Sequence, residues 1–148
     1  LSSSVDPQSS TFKANAEAFG REMGALLTEL EAKTKPLAGR PFIVFHDAYQ
    51  YFERRFGLEA AGSVTVSPDV APSARRLSAL RRKIGELKAV CVFSEPQFEP
   101  RLVVTITEKT DARRGVLDPL GVSIPAGPSH YTTLLRSLAA DLEACLKG

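Results

Sequence analysis

The chain has no tryptophan, a single methionine, two histidines and two cysteines. Two imidazoles are too few for a metal site built from histidines of this chain alone, because structural zinc takes about four ligands and catalytic zinc about three from protein. No apolar run approaches the roughly 18 residues of a membrane-spanning helix. Glycine is sparse where a phosphate-cradling loop would need it. Gly115 and Gly121 stand apart, with no glycine-rich motif around them, which argues against P-loop and dinucleotide chemistry. No Gly-x-Ser-x-Gly elbow is present, so Ser94, His46 and Asp118 resemble a hydrolytic triad only in residue type. A net charge of +2 gives no field strong enough to argue for nucleic acid or a membrane surface. The start, Leu1-Ser2-Ser3-Ser4, is polar and reads as a mature or trimmed terminus, compatible with export.

The 148 residues, 43% of them hydrophobic, suffice for one domain with a real core. Phe12, Ala16, Phe19, Met23, Leu26, Leu27 and Leu30 form one helical stripe. Asp6 and Pro7 read as its N-cap and first-turn proline, and Pro36 and Gly39 stop it. At about 27 residues, or ~40 Å, this helix is long enough to be a brace or linker. Beyond it the pattern alternates. Strand-like Pro41 to His46 precedes helix-like Asp47 to Phe56. Ala61 to Val66 is β-type and leads into a turn at Ser67-Pro68-Asp69. A basic helix from about Ser73 to Leu87 has Leu77, Leu80, Ile84 and Leu87 as its expected buried face. Its Arg75, Arg76, Arg81, Arg82 and Lys83 read as a solvated face, with docking of a protein partner as the alternative. Strand Ala89 to Phe93, helix-like Pro100 to Asp111 and strand Arg114 to Leu117 follow. The Val103-Val104-Thr105-Ile106-Thr107 run argues against that helix. A Gly/Pro-rich loop then leads to a last helix from about Ser129 to Leu146. This order predicts an α/β fold: a roughly four-stranded, mostly parallel sheet flanked by helices and preceded by a long linker helix.

In such a sheet, ligands bind at the carboxyl ends of the strands. His46 ends the first predicted strand, Ser94-Glu95 the third and Asp118 the fourth. His46 and Asp118 are candidate metal ligands, since imidazole and carboxylate suit zinc, manganese or iron. Each also has a plainer role. His46 could be a hydrogen-bonded residue at the sheet edge, and position alone leaves both readings open. Asp118 could simply organise the turn before Pro119. Asp47 reads as a helix N-cap, His130 as a solvated surface residue with a third-ligand role as the alternative, and Glu95 as an acid or base or as half of a salt bridge. Composition alone favours reduced, buried thiols at Cys91 and Cys145.

Five motifs then appear in order. They are Ala14-Asn15-Ala16-x-x-Phe19 running to Pro36, and Phe45-His46-Asp47-Ala48-Tyr49-x-Tyr51-Phe52 with Phe56-Gly57-Leu58. After these come Cys91-Val92-Phe93-Ser94-Glu95-Pro96-Gln97-Phe98, Leu117-Asp118-Pro119-Leu120-Gly121, and the ending Cys145-Leu146-Lys147-Gly148. Together, over about residues 7 to 148, they resemble the C-terminal lobe of periplasmic zinc-uptake ABC-transporter solute-binding proteins. The resemblance implies that residues 1–38 end an interlobe linker helix and that residues 39–148 form the metal-binding lobe. His46 would be one zinc ligand and Asp118 a second, weaker or outer one. Cys91 and Cys145 would be paired in an oxidising periplasm. The implied partners are an ABC permease and the N-terminal lobe of the same parent, which supplies further histidines. Without that lobe, Zn²⁺ binding is expected to be weak or absent, and the bared linker face could drive self-association. The competing reading is a metal-dependent, hydrolase-like α/β domain that uses the same sheet edge.

Overall fold

The computed structural model describes residues 9–67 and 70–148. The predicted cap at Asp6-Pro7, the polar start at residues 1–4 and Pro68-Asp69 of the predicted turn lie outside the described residues.

The long helix α1 spans Ser9–Thr34, and a 3₁₀ turn at Lys35–Leu37 closes it. Only the last part of its stripe enters the core. Leu26 and Leu30 are buried, Met23 and Leu27 pack beside them, and Phe12 and Phe19 are more than half exposed. The apolar stripe is therefore bare over the N-terminal half, where no described residue covers the helix.

Strand β1 is Phe42–Val44, β2 is Gly62–Ser63, β3 is Cys91–Ser94 and β4 is Arg113–Val116. They form one sheet in the order β2-β1-β3-β4, with every pair parallel. Helix α2 (Gln50–Phe56), α3 (Ala74–Glu86), α4 (Arg101–Thr107) and α5 (His130–Lys147) connect and cover these strands. The pleat splits the core into two layers. Phe42, Val44, Cys91 and Phe93 face α1, α2 and α5, whereas Ile43, Phe45 and Val92 face α3 and α4. The β-branched run at 103–107 is helical after all, because Val103 and Ile106 are needed on that second face.

Strands β1, β2 and β3 are shorter than predicted, and β4 begins one residue earlier at the same length. Pairing at the β2 edge nevertheless continues past the formal strand, with Val64 N donating to Val44 O and Thr65 N to Phe45 O. Strand β4 is not apolar. Arg113 and Arg114 are exposed because it is a sheet edge, where charge deters further pairing. On α3, Ser73 Oγ caps Arg76 N at 3.3 Å, and Leu80 and Ile84 are buried. Leu87 lies past the helix end and is 42% exposed, contrary to expectation. Arg76 also departs from the solvated reading. Its guanidinium donates to the Val64 and Ser63 carbonyls, both at 2.8 Å, and ties α3 to the β2 edge.

Cys91 and Cys145 form a disulfide with Cα atoms 6.1 Å apart, which overturns the compositional preference for free thiols. The bridge fastens α5 to β3 and closes 54 residues; loop-closure entropy gives about 4 kcal/mol of stabilisation. Gly115 makes this packing possible. A Cβ there would stand 2.5 Å from the Phe93 ring and 3.1 Å from Cys145 Sγ.

Candidate metal centre

Parallel strands place every strand's carboxyl end on one edge, so β1 and β3 deliver the residues after them to the same place. His46 lies two residues beyond β1, and Glu95 follows β3 directly. The His46 Nδ1–H donates to Glu95 Oε1 at 2.7 Å. Glu95 is 2% exposed. Its Oε1 also accepts from the Tyr49 hydroxyl at 3.2 Å, and the His46 backbone N–H approaches at 3.4 Å. An anionic acceptor at Nδ1 fixes the tautomer and leaves the Nε2 lone pair for another partner. The His46 side chain keeps 24% of its surface, and no described residue hydrogen-bonds Nε2.

Residues 46–48 make a tight turn, with Ala48 N donating to His46 O at 2.9 Å. Helix α2 consequently begins only at Gln50. Asp47 is not its N-cap; its carboxylate accepts from Gln50 Nε2 at 2.7 Å instead. Tyr49 occupies the cap position because its hydroxyl is drawn inward to Glu95 and to Leu117 O, 3.3 Å away. Burial is the main force pushing the Tyr49 phenol far above the ordinary range. The Glu95 charge and hydrogen bond reinforce it, and Asp118 adds to it.

Asp118 anchors the loop after β4. Oδ1 accepts from Leu120 N at 3.1 Å, Gly121 N at 2.9 Å and Gln97 Nε2 at 2.8 Å; Oδ2 accepts from Val122 N at 2.7 Å. Burial alone would raise its carboxyl, but these four donors outweigh that and hold it below the usual carboxylate range. The turn-forming role is thus real. Oδ2, with one partner, retains a lone pair for a cation.

His46, Glu95, Gln97, Phe98, Pro119 and Leu120 line a cleft of about 380 Å³. Phe98 is fixed there by stacking on Phe45 at 5.0 Å. Neither Asp118 nor His130 is among the lining residues; His130 packs against the Gly121 turn, with Nδ1 3.4 Å from Pro125 O. Ser94 turns its hydroxyl to Gly115 O at 3.2 Å and so joins no nucleophilic pair. Among the described residues, no three His, Cys, Asp or Glu side chains converge as a metal site. Sequence reasoning named Glu95 but not its tie to His46, and it passed over Tyr49 and Gln97 except as motif letters. Nothing local in the sequence marks those three, because each acts through a partner more than 20 residues away.

The family described as "Zinc-uptake complex component A periplasmic" matches residues 2–145, nearly the whole chain. The chain belongs to this family. It is 54% identical over 142 residues to the high-affinity zinc uptake system protein ZnuA of Brucella abortus (strain 2308). That alignment covers 95% of this chain and 42% of the Brucella protein. The ZnuA protein of Yersinia pestis is 40% identical over 134 residues, again with 42% of its length covered. Among solved structures, a crystal structure of ZnuA superposes with a TM-score of 0.79 at 29% identity, over 94% of this chain and 49% of that one. A mutant of the laminin-binding adhesin Lmb of Streptococcus agalactiae gives 0.80 at 28% identity, over 94% and 52%. The chain therefore spans less than half the length of its ZnuA relatives. The family is one of zinc-uptake components, and nothing in these similarities supports the hydrolase alternative.

Proposed function

We propose that this chain is the C-terminal lobe of a zinc-uptake solute-binding protein, with residues 1–38 contributing the end of its interlobe linker helix and residues 39–148 the lobe itself. In the complete protein, Zn²⁺ is the cargo. It is captured in the cleft between two lobes in the periplasm and passed to the membrane permease of an ABC transporter. The chemistry is reversible coordination without turnover. His46 offers Nε2, and Asp118 offers the remaining lone pair of Oδ2. The other ligands come from the N-terminal lobe.

The observation that carries this proposal is the oriented imidazole: His46 lines the cleft and its Nδ1 is held by a buried carboxylate. Ligating histidines are commonly held in this way by an outer carboxylate. Membership of a family described as a zinc-uptake component supports the choice of metal and the direction of transport. Two donors fall short of the three or four that zinc takes, so the isolated chain is expected to hold the ion weakly. The exposed Phe12 and Phe19 would favour self-association of the isolated lobe.

Zinc titration of the complete two-lobed protein, with and without His46→Ala, tests the assignment. A loss of affinity of tenfold or more is expected, since each tenfold corresponds to about 1.4 kcal/mol. Unchanged affinity would remove His46 from the site.

A further inference from the structure

A groove of about 770 Å³ runs along the opposite edge of the sheet, where β3 and β4 begin. It is lined by Arg81 and Arg82 of α3, Lys88 of the α3–β3 turn, Lys109 of the α4–β4 turn and Arg113 of β4, against one carboxylate, Asp111. All five cations are exposed, and none forms an ion pair among the described residues. In the sequence, Arg81 and Arg82 belong to a basic helix face, whereas Lys88, Lys109 and Arg113 stand apart from it. The fold gathers them.

Two of the lysines occupy backbone positions that suit glycine. Lys88 and Lys109, with φ of +49° and +61°, are the only non-glycine residues in the left-handed region among the described residues. Each follows a helix end. Lys88 N donates to Gly85 O at 3.2 Å and Ala89 N to Ile84 O at 2.9 Å, a pattern in which glycine is the usual occupant. For stability of the turn alone, glycine would be preferred at both places.

Soothing the negative ends of α3 and α4 does not account for so much charge. Each helix end carries about half a negative charge, so both ends together with Asp111 offset about two of the five cations. A surplus of about three positive charges remains around a concave space of small-ligand size. Arg82 presents a planar fork of the kind that binds phosphate oxygens in pairs, whereas Arg81 already donates to Thr105 O and the Arg113 guanidinium stands against Gly148, so these two add charge to the groove. We propose that this groove is a binding site for a ligand carrying two or more phosphate groups, separate from the zinc cleft. Its concavity favours a compact phosphate cluster over a flat surface or an extended chain.

Calorimetric titration of inorganic tripolyphosphate into the 148-residue chain tests this directly. A single saturable site is expected, weakening as salt rises. In the double variant K88G/K109G, affinity should fall at least about tenfold, the effect of losing one charge-assisted contact. Thermal stability should hold or rise, because glycine relaxes both backbones. The variant R82Q should also weaken binding. The control K13Q/K35Q removes the same charge from α1 and the turn after it, and should leave affinity unchanged. Co-sedimentation with cardiolipin vesicles, whose headgroup carries two phosphates, displaced by tripolyphosphate, would identify a lipid headgroup as the phosphate carrier; no co-sedimentation would assign a soluble one. Absence of saturable binding to the unaltered chain would overturn the proposal. So would full affinity in K88G/K109G, or an equal loss in the control.

Discussion

Glu95 holds His46 by a 2.7 Å hydrogen bond from Nδ1, and it does so from a fully buried position at the end of the neighbouring strand. The imidazole is thereby held in one orientation. A buried carboxylate spends no rotamer freedom on re-forming this contact, so the cleft presents one prepared nitrogen.

Glu95→Gln keeps the shape and removes the charge that fixes the tautomer. Zinc affinity of the complete two-lobed protein is expected to fall about ten- to hundredfold, the usual effect of losing an outer carboxylate. Calorimetry or competition with a chelating dye reads this. Equal affinity in both proteins would reduce Glu95 to a structural carboxylate.

Tyr49 predicts an alkaline limit. Burial and Glu95 raise its phenol, so the folded state keeps the proton when the unfolded chain, near pH 10, releases it. The resulting stability is complete below that pH and declines as pH rises above it. Denaturant titrations from pH 8 to pH 11 (approximate bounds around that value) should show this decline, and Tyr49→Phe should flatten it. Parallel curves for the two proteins would contradict the assignment.

Asp118 has the opposite sign. Its carboxyl is held low by four donors, so its contribution is present above the ordinary carboxylate pKa and is lost as pH falls through its folded value. Asp118→Asn should therefore make stability less dependent on pH below about 4. An unaltered acid-side slope would show that the loop amides do not select the ionised form.

The disulfide and Gly115 form one packing unit. Replacing Cys91 and Cys145 with alanine should cost about 2–5 kcal/mol of unfolding free energy. Gly115→Ala should cost about 1–3 kcal/mol, because its methyl group meets Phe93 and Cys145 Sγ. Urea denaturation measures both. If Gly115→Ala is neutral, the Phe93 ring has room to retreat.

The elements and their order were legible in the sequence, because period 3.6 in α1, α3 and α5 and the apolar blocks of β1 and β3 each report a local environment. The five ordered motifs further pointed to the family and to the cysteine pairing. Strand ends were less legible. β2 is a two-residue ladder at a sheet edge, and β4 carries arginines because its outer side meets water. The start of α2 was misplaced for a different reason: the tertiary bonds of Tyr49 override the local capping chemistry of Asp47.

By itself the sequence determined the α/β alternation, the placement of His46, Glu95 and Asp118 at strand ends, and the absence of enough histidines for a complete metal site. Only the tertiary structure decided what those residues do to one another. Parallel strands bring Glu95 across 49 positions to His46, bring Gln97 to Asp118, and collect five cations at the far edge. The reason is physical. Helical and strand periodicity arise from near neighbours, whereas a hydrogen bond between two loops exists only once the sheet has set their separation.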